Sequence, residues 1–312
     1  METFLAVTWD PNPEFFRFFG LSIRYYSLMW VIGLFVAYKL VQRFYEHRGY
    51  SAEVFDPLFL YCFLGILIGA RLGHCLFYEP GYYLTSGKHF LEMLLPIRFL
   101  PEGGWKLVGY SGLASHGGTI GIFLGMILYC HKHKIGVLEC VDMVCLATPF
   151  TAGCIRIGNL MNSEIVGKAT GTDWGFIFVQ NGDTFPRHPA QLYEAIAYFL
   201  IFIIIGLIYR QNRERVGTGF YFGFCLATIF TFRFFIEFFK EVQVDFEKSL
   251  PLDMGQLLSI PFVIIGVWLM IRSRKKIAPK SKYYSLIFNY LKSDYLYVFI
   301  CKRNSGNNIC CA

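Results

Sequence analysis

The sequence predicts an all-α polytopic membrane protein with seven transmembrane helices, its N-terminus outside and its C-terminus inside the cell. Of the 312 residues, 55% are hydrophobic and 16% are charged. An average soluble domain has about 25% charged residues, so this chain has too few charged residues for a surface exposed only to water, and its apolar residues require lipid. Seven apolar stretches approach the length of about 20 residues that spans a hydrocarbon core, and basic residues follow every second stretch.

Each predicted span is an apolar run bounded by polar or charged residues. The spans cover residues 23–40, 55–77, 113–130, 138–157, 192–209, 219–239 and 254–271. Lysine and arginine follow the first, third, fifth and seventh spans, whereas acidic residues dominate the N-terminus and the 241–253 loop. Cytoplasmic loops carry the excess of Lys and Arg in membrane proteins, so this alternation predicts the N-out, C-in orientation. The acidic start leads into a full-length span, so no cleaved signal peptide is expected.

Residues 1–276 are expected to form one transmembrane domain, because they contain no internal repeat and no low-complexity linker. Two external segments are longer than simple turns. The first, about 81–110, mixes apolar and charged residues, which predicts an amphipathic arm in the membrane interface. The second, about 159–188, is polar and glycine-rich with a strand-like run at 174–179, which predicts a small external cap. The remaining segment, 277–312, is predicted to be a cytoplasmic tail, and its role is not predicted.

The charge and the cysteines exclude several function classes. The net charge of +7 lies in loops that flank the spans, so nucleic acid is not predicted as a partner. Most of the ten cysteines lie within predicted spans, and none forms a CxxC pair. We therefore predict neither a disulfide framework nor a zinc site.

Ionisable side chains inside or at the edge of apolar spans are costly to insert and by default indicate a functional site. Arg71 lies late in the second span, where an arginine either binds a ligand or anchors the helix end at the interface. His116 precedes Gly117 and Gly118 at the outer start of the third span. Glycine lets a ligand approach the backbone, and free N–H groups at a helix start attract anions. We therefore favour a binding role for the His116 motif over a structural one.

The densest polar motif follows the fourth span and runs from Arg156 to Gly167. At helical spacing, Arg156 and Asn159 share one side of the helix, and Asn162 follows on the same side. One cation with several amide donors suits a phosphate. A polar helix cap is the simpler interpretation, but a cap does not require Arg, two Asn and Glu164 within nine residues.

Two further motifs lie at the outer ends of the fifth and sixth spans. His188 precedes the fifth span, and Gln191 and Glu194 point the same way from its first turns. Glu194 either binds a ligand or neutralises a neighbouring arginine. Arg233 and Glu237 are spaced for an ion pair within one helix, worth a few tenths of a kcal/mol in water. An exposed pair in lipid is expensive, so Arg233 is expected to face the bundle interior.

The predicted topology puts all of these groups on the external side, so we expect them to form one pocket. Arginines and amides in a lipid-accessible site fit an anionic headgroup better than a permeating cation. A transporter or channel remains an alternative, although the sequence shows no inverted repeat and seven spans cannot divide into equal halves. A lipoprotein assembly or chaperone protein, in which the pocket only binds, is the second alternative.

The motifs resemble those of the bacterial phosphatidylglycerol:prolipoprotein diacylglyceryl transferase family, and the resemblance spans nearly all of residues 14–276. The segment from Arg156 to Gly167 resembles the family signature R-I-G-N-x-x-N-x-E-x-x-G. Five further motifs accompany it, namely Trp174-Gly175, His116-Gly117-Gly118, Arg187-His188-Pro189-x-Gln191-Leu192-Tyr193-Glu194, Arg233-Phe234-x-x-Glu237 and Met254-Gly255-Gln256. The sequence departs from the family at three positions, with Ile155 and Ser163 where Gly is common and Lys168 where Arg is common.

The resemblance implies transfer of the diacylglyceryl group from phosphatidylglycerol to the lipobox cysteine of a preprolipoprotein signal peptide. The products are a thioether and glycerol phosphate. The implied location is the bacterial inner (cytoplasmic) membrane, with membrane lipid as a further partner. Neither a metal nor another cofactor is implied.

The resemblance also implies roles for individual residues. Arg156 and Arg233 would stabilise the charge that develops on the leaving phosphate. His116 would accept the thiol proton or orient the headgroup, and the pattern leaves both roles open. The expected substrate-binding residues are Tyr26, Arg71, Gly117, Gly118, Asn159, Asn162, Glu164, Gly167, His188, Gln191, Tyr193, Glu194 and Glu237.

Overall fold

The computed structural model describes residues 5–18, 21–100, 102–108, 112–241 and 252–274, and most of these residues are helical. Within these ranges there are ten α-helices: α1 Tyr25–His47, α2 Ala52–Phe77, α3 Pro80–Tyr83, α4 Gly87–Leu94, α5 Ser115–His133, α6 Val137–Cys145, α7 Thr148–Met161, α8 Ala190–Gln211, α9 Phe220–Ile236 and α10 Met254–Arg274. The predicted tail, 277–312, and most of the 241–253 loop lie outside the described residues.

Five helices in the described ranges are long and apolar enough to cross a membrane, and the bent pair α6–α7 makes six if counted as one span. These five are α1, α2, α8, α9 and α10, where α9 is extended by a 3-10 turn to Phe239. The predicted multi-pass helical membrane protein is thus confirmed in its coarse form. Helix α5 coincides with the predicted third span. The segments at its ends, Ser-His-Gly-Gly and His-Lys-His, lower its mean hydropathy.

The predicted fourth span is bent rather than straight. Helices α6 and α7 meet at 44°, and Pro149 occupies the first turn of α7. Proline has no N–H to donate and its ring clashes with the preceding turn, so the helix breaks there. The hydroxyl of Thr148 donates to the carbonyl oxygen of Val144 at 3.0 Å, which satisfies one acceptor at the break. Helix α7 then continues to Met161, so Arg156 and Asn159 lie in its last turns.

Helices α2 and α5 approach each other through glycines. A methyl group on Gly117 would lie 2.2 Å from the carbonyl oxygen of Gly69, and one on Gly121 would lie 2.0 Å from that of Gly65. Small residues allow such backbone contact between helices in a membrane. The contact fixes the start of α5, and with it the backbone position of His116.

The expectation of an all-α fold is wrong outside the spans, where short strands satisfy backbone groups that no helix accommodates. The described residues contain three two-stranded sheets, built from β1 Leu5–Trp9, β2 Glu14–Phe18, β3 Leu21–Arg24, β4 Ile97–Phe99, β5 Trp105–Leu107 and β6 Trp174–Phe178. Strand β6 confirms the strand-like run at 174–179, and it pairs in parallel with β1. The indole of Trp9 donates to the carbonyl oxygen of Leu160 at 2.9 Å, tying this sheet to the end of α7.

The segment predicted as an arm contains α3, α4 and the β4–β5 hairpin. Arg71 of α2 is buried and donates to the carbonyl oxygens of Glu92, at 2.8 Å, and Met93, at 3.3 Å. The arm is thereby docked on α2. Trp105 and Leu107 of the hairpin are 62% and 72% exposed, as an amphipathic arm in an interface requires. The position of the arm relative to a membrane stays a prediction.

The main hydrophobic core lies at one end of the helices. It includes Tyr45 near the end of α1, Tyr209 near the end of α8 and Tyr221 near the start of α9. The opposite end therefore contains the end of α7, the start of α8 and the end of α9. The predicted site residues of these three helices lie there.

Candidate functional site

Charged residues from α7, α8 and α9 meet at this opposite end. Nε of Arg156 lies 3.1 Å from Oε2 of Glu194, whose side chain is fully buried. The other oxygen of Glu194 accepts a hydrogen bond from the hydroxyl of Tyr198 at 3.1 Å. It also accepts one from Nζ of Lys240 at 3.3 Å. A buried carboxylate is tolerated when it is paired in this way.

Lys240 continues the contacts towards α9. Its Nζ lies 3.2 Å from Oε1 of Glu237, and Nε of Arg233 lies 3.5 Å from the same oxygen. The five charged side chains Arg156, Glu194, Lys240, Glu237 and Arg233 thus form a continuous row of alternating charge, which we call the ionic row. The structure brings Arg156 and Arg233, 77 positions apart in the sequence, into one cluster.

Exposure differs along the ionic row. The side chain of Arg233 is 40% exposed and that of Arg156 is 16% exposed, whereas that of Lys240 is 4% exposed. The two arginines at the ends are accessible, and the lysine between them is enclosed by carboxylates. A ligand that reaches this cluster therefore meets guanidinium groups first.

A second branch extends from Arg156 through the amides of the signature motif. One guanidinium nitrogen of Arg156 donates to Oδ1 of Asn159 at 3.3 Å. The amide nitrogens of Asn159 and Asn162 donate to the two oxygens of Glu164, at 3.0 Å and 3.2 Å. Each amide nitrogen keeps a second hydrogen for another acceptor. Glu164 is exposed, and Asn159 links its carboxylate to Arg156.

The loop after α7 contains strained backbone. Ser163 and Ile165 have φ of 54° and 56°, in the left-handed region that glycine adopts without strain. This geometry explains why Gly is common at the position of Ser163 in the family that the sequence resembles. The amide of Gln191 is fully buried and donates to the backbone carbonyl of Glu164. Gln191 therefore holds the loop and does not point to the outside.

Gly167, His188 and Tyr193 lie in the segment predicted as the cap and at the start of α8. The N–H of Gly167 donates to the carbonyl oxygen of His188 at 2.9 Å, and a methyl group on Gly167 would lie 2.5 Å from that oxygen. The ring of His188 contacts Trp174, Tyr193 and Phe239. Burial among these rings lowers the pKa of His188, which keeps its imidazole neutral at pH 7.

The remaining predicted site residues lie around the cluster or away from it. The ring of Tyr26 packs on Gly158, where a methyl group would lie 2.9 Å from its Cδ2, next to Arg156 on α7. His116 is exposed at the start of α5, and within the described ranges no hydrogen bond or ion pair joins it to the ionic row. Gly118 is buried against Ala70. As described above, Gly117 packs on α2 and Arg71 on the arm.

Lys240 and Tyr198 are the members of the cluster that the sequence did not predict. Lys240 follows Glu237 by three residues and Arg233 by seven, a spacing that puts all three on one helical face. That periodicity could have identified the lysine. Gly255 at the start of α10 also approaches the row, because a methyl group there would lie 2.5 Å from Oε1 of Glu237.

The fold and this cluster define a multi-pass helical membrane protein with a charged site at one end of its spans. The model of the prolipoprotein diacylglyceryl transferase family matches residues 13–272. The chain therefore belongs to this family, as the motifs predicted, and it is a transferase of lipoprotein biosynthesis.

Three relatives show how much of the chain is shared. A phosphatidylglycerol–prolipoprotein diacylglyceryl transferase from Bacteroides fragilis is 58% identical over 272 residues, which cover 87% of this chain and 97% of the relative. The enzyme of the same description from Chloroherpeton thalassium is 39% identical over 277 residues, covering 88% and 97%. That from Tolumonas auensis is 38% identical over 269 residues, covering 86% and 98%.

Proposed function

We propose that this chain transfers the diacylglyceryl group of phosphatidylglycerol to the lipobox cysteine thiol of a preprolipoprotein. The observation that carries the proposal is the ionic row, which sets two accessible arginines at the end of a helical membrane bundle. The proposal is also supported by the match of most of the chain to transferases whose descriptions name phosphatidylglycerol and prolipoprotein.

The reaction requires a nucleophile, a leaving group and a destination for one proton. The thiolate sulfur attacks the carbon of the diacylglyceryl group that bears the phosphate. A C–S bond forms, and the C–O bond between this carbon and the phosphate breaks. The bonding electrons leave on the phosphate oxygen as glycerol phosphate, and the thiol proton passes to a base. Negative charge therefore develops on the phosphate, where Arg156 and Arg233 are available to stabilise it.

The other polar residues would bind and orient the lipid head. The exposed carboxylate of Glu164 can accept hydrogen bonds from glycerol hydroxyls, and Asn159 and Asn162 can donate their second N–H to headgroup oxygens. Tyr26 lies beside α7 and would line the site that binds the lipid head. Glu194 and Glu237 hold the arginines. We also propose that Gly167, His188, Gln191 and Tyr193 shape the binding site by supporting the backbone around it. Arg71, Gly117 and Gly118 would contribute indirectly, by fixing the arm and the start of α5.

His116 would act on the thiol or on the headgroup from the start of α5. A His116→Gln variant retains a hydrogen-bonding side chain but cannot take up the proton, and a free thiol has a pKa of about 8.5. If His116 is the base, the variant loses less activity at pH 9 than at pH 7. If His116 orients the headgroup, the loss is the same at both pH values.

We further propose that the chain forms seven spans in the bacterial inner membrane, with α5 as the third and α6–α7 as the fourth. The ionic row would lie at the external face, with the arm (81–110) and the cap (159–188), within a domain of residues 1–276. Basic residues at the other helix ends support this orientation, namely Arg43, Arg48, Lys132, Lys134, Arg213, Arg215, Arg272 and Arg274. The segment 277–312 would be cytoplasmic.

One assay tests the proposed activity. The purified protein is incubated with phosphatidylglycerol vesicles and a lipobox peptide, and mass spectrometry detects a diacylglyceryl adduct on the peptide. Phosphatidylcholine vesicles and a peptide with serine in place of cysteine are the controls. We expect an adduct only with phosphatidylglycerol and cysteine together. A transporter or a chaperone would make no adduct.

A further inference from the structure

Lys240 lies at the centre of the ionic row, and both its main chain and its side chain are fixed. Its ammonium group is 3.3 Å from Glu194 and 3.2 Å from Glu237. Its backbone forms a β-bridge with Gly167, and the next residue, Glu241, donates its N–H to the carbonyl oxygen of Val166 at 3.3 Å. The segment after α9 is therefore attached to the loop after α7, and the lysine enters the cluster from this junction.

The enclosure of Lys240 excludes direct contact with a ligand. The side chain is 4% exposed, and each of its two carboxylate partners also pairs with an arginine. Lys240 can therefore act on a substrate only through its neighbours. Moving its ammonium group moves Glu194 and Glu237, and these carboxylates set the directions of Arg156 and Arg233.

The balance of charge in the ionic row depends on this lysine. Three cations and two carboxylates give the row a net charge of +1, which matches the single negative charge of a phosphodiester lipid. Without Lys240 the row would be neutral, and two enclosed carboxylates would compete for arginines that the phosphate needs. Buried carboxylates that lose a partner are strongly unfavourable, so the row would rearrange.

We infer that Lys240 is a positioning residue for the transfer reaction: it separates Glu194 from Glu237 and so directs Arg156 and Arg233 at one phosphate. This inference rests on the proposed function. It assigns Lys240 no contact with substrate, and it predicts an effect on the chemical step rather than on lipid binding. The charge on the leaving phosphate grows in the transition state, so misdirected arginines reduce kcat more than they raise KM.

Five variants test the inference in the adduct assay, with kcat and KM for phosphatidylglycerol measured for each. Lys240→Met removes the charge at similar length, and we expect kcat to fall about tenfold or more while KM changes less than about threefold. Lys240→Arg restores the charge, and we expect kcat within about threefold of the parent. Lys168→Met is the matched control, because Lys168 lies at the same junction but its ammonium group donates to the backbone carbonyl of Phe238 rather than to a carboxylate.

The remaining two variants are Glu237→Gln alone and the double variant Lys240→Met with Glu237→Gln, which removes the lysine together with one of its carboxylates. If Lys240 acts through Glu237, the double variant loses no more activity than the Lys240→Met variant, so the two effects are not additive. Activities are compared between proteins of equal solubility. If Lys240→Met folds poorly, Lys240→Gln replaces it in both the single and the double variant.

The outcomes separate this inference from the proposed function. Parent-like kcat in Lys240→Met, an inactive Lys240→Arg, or strictly additive losses in the double variant would each overturn the role of Lys240 while the parent enzyme remains active. A parent enzyme that forms no adduct would overturn the proposed function and this inference with it.

Discussion

The guanidinium of Arg156 lies 3.1 Å from the carboxylate of Glu194, which joins the last turns of α7 to the first turns of α8. Because Glu194 has no exposed surface, the ion pair is shielded from the screening that weakens pairs in water. The pair therefore links the packing of two helices to the direction of a guanidinium that the proposed reaction uses.

Glu194→Gln should destabilise the protein by about 3 kcal/mol, because it leaves the enclosed Lys240 and the partly buried Arg156 without the carboxylate that they share. The measurement is the thermal unfolding midpoint in detergent, with Glu14→Gln as the control. Glu14 belongs to an exposed ion pair with Arg17 and should give no measurable change. Equal midpoints for Glu194→Gln and the parent would show that the buried pair does not stabilise the fold.

Arg233→Ala should reduce lipid transfer about a hundredfold or more, because a cation next to the developing phosphate charge is lost. His116→Ala should also abolish transfer, and both proteins should still insert into membranes. Adduct formation per mole of folded enzyme is the measurement. Arg17→Ala serves as the control, since this arginine is 66% exposed on β2 and pairs there with Glu14 rather than with a member of the ionic row. Full activity of purified Arg233→Ala would remove that residue from the chemistry.

Ser163→Gly should stabilise the protein by about 1 kcal/mol, because φ of 54° is strained for serine and free for glycine. The Ser163→Ala variant separates two causes. Alanine removes the buried hydroxyl, which has no hydrogen-bond partner among the described residues, but keeps the Cβ atom that causes the strain. Unfolding midpoints of the three proteins are compared. A gain in Ser163→Ala as large as that in Ser163→Gly would assign the effect to the hydroxyl.

Gly117→Ala should cost about 2 kcal/mol of stability and displace the start of α5, because its methyl group would overlap the backbone of α2. Gly87→Ala is the matched control, since nothing lies within 4 Å of a methyl group at that helical position. Thermal unfolding and adduct formation are both measured. If Gly117→Ala matches the Gly87→Ala variant in both, the close contact between α2 and α5 is not required.

His188 should make stability depend on pH. Burial lowers its pKa below the ordinary value of 6.5, so between that value and the lowered pKa the unfolded chain binds more protons than the folded one. Stability attributable to His188 is therefore fully present above pH 6.5 and decreases as the pH falls through this window. Unfolding midpoints of the parent and His188→Gln, recorded from pH 7.5 to pH 5, should converge on the acid side. Parallel curves would contradict the shift.

The residues that the sequence identified are those that stand out against apolar surroundings. Arg156, Glu194, Arg233 and Glu237 interrupt or flank hydrophobic stretches, and their cost in lipid is a physical reason to expect partners. Lys240 was missed because it lies just beyond the sixth span, where a lysine usually marks a solvated helix end.

Other features depend on contacts that composition does not contain. The apolar run at 138–157 contains Pro149, but Pro57 and Pro261 lie inside the continuous helices α2 and α10, so a proline alone does not show whether a span is bent. The amide of Gln191 looked like a ligand group, but its partner is a backbone carbonyl. Hydrogen bonds between a side chain and a distant main chain leave no pattern in the sequence.

The pairing of β1 with β6 imposes an order on biogenesis. Leu5 is opposite Trp174 in this sheet, so the first described strand of the chain has to wait for a partner that is synthesised after helix α7. The sheet closes only when both strands have reached the same side of the membrane. Completion of this end of the molecule is thereby coupled to the correct insertion of every helix between them.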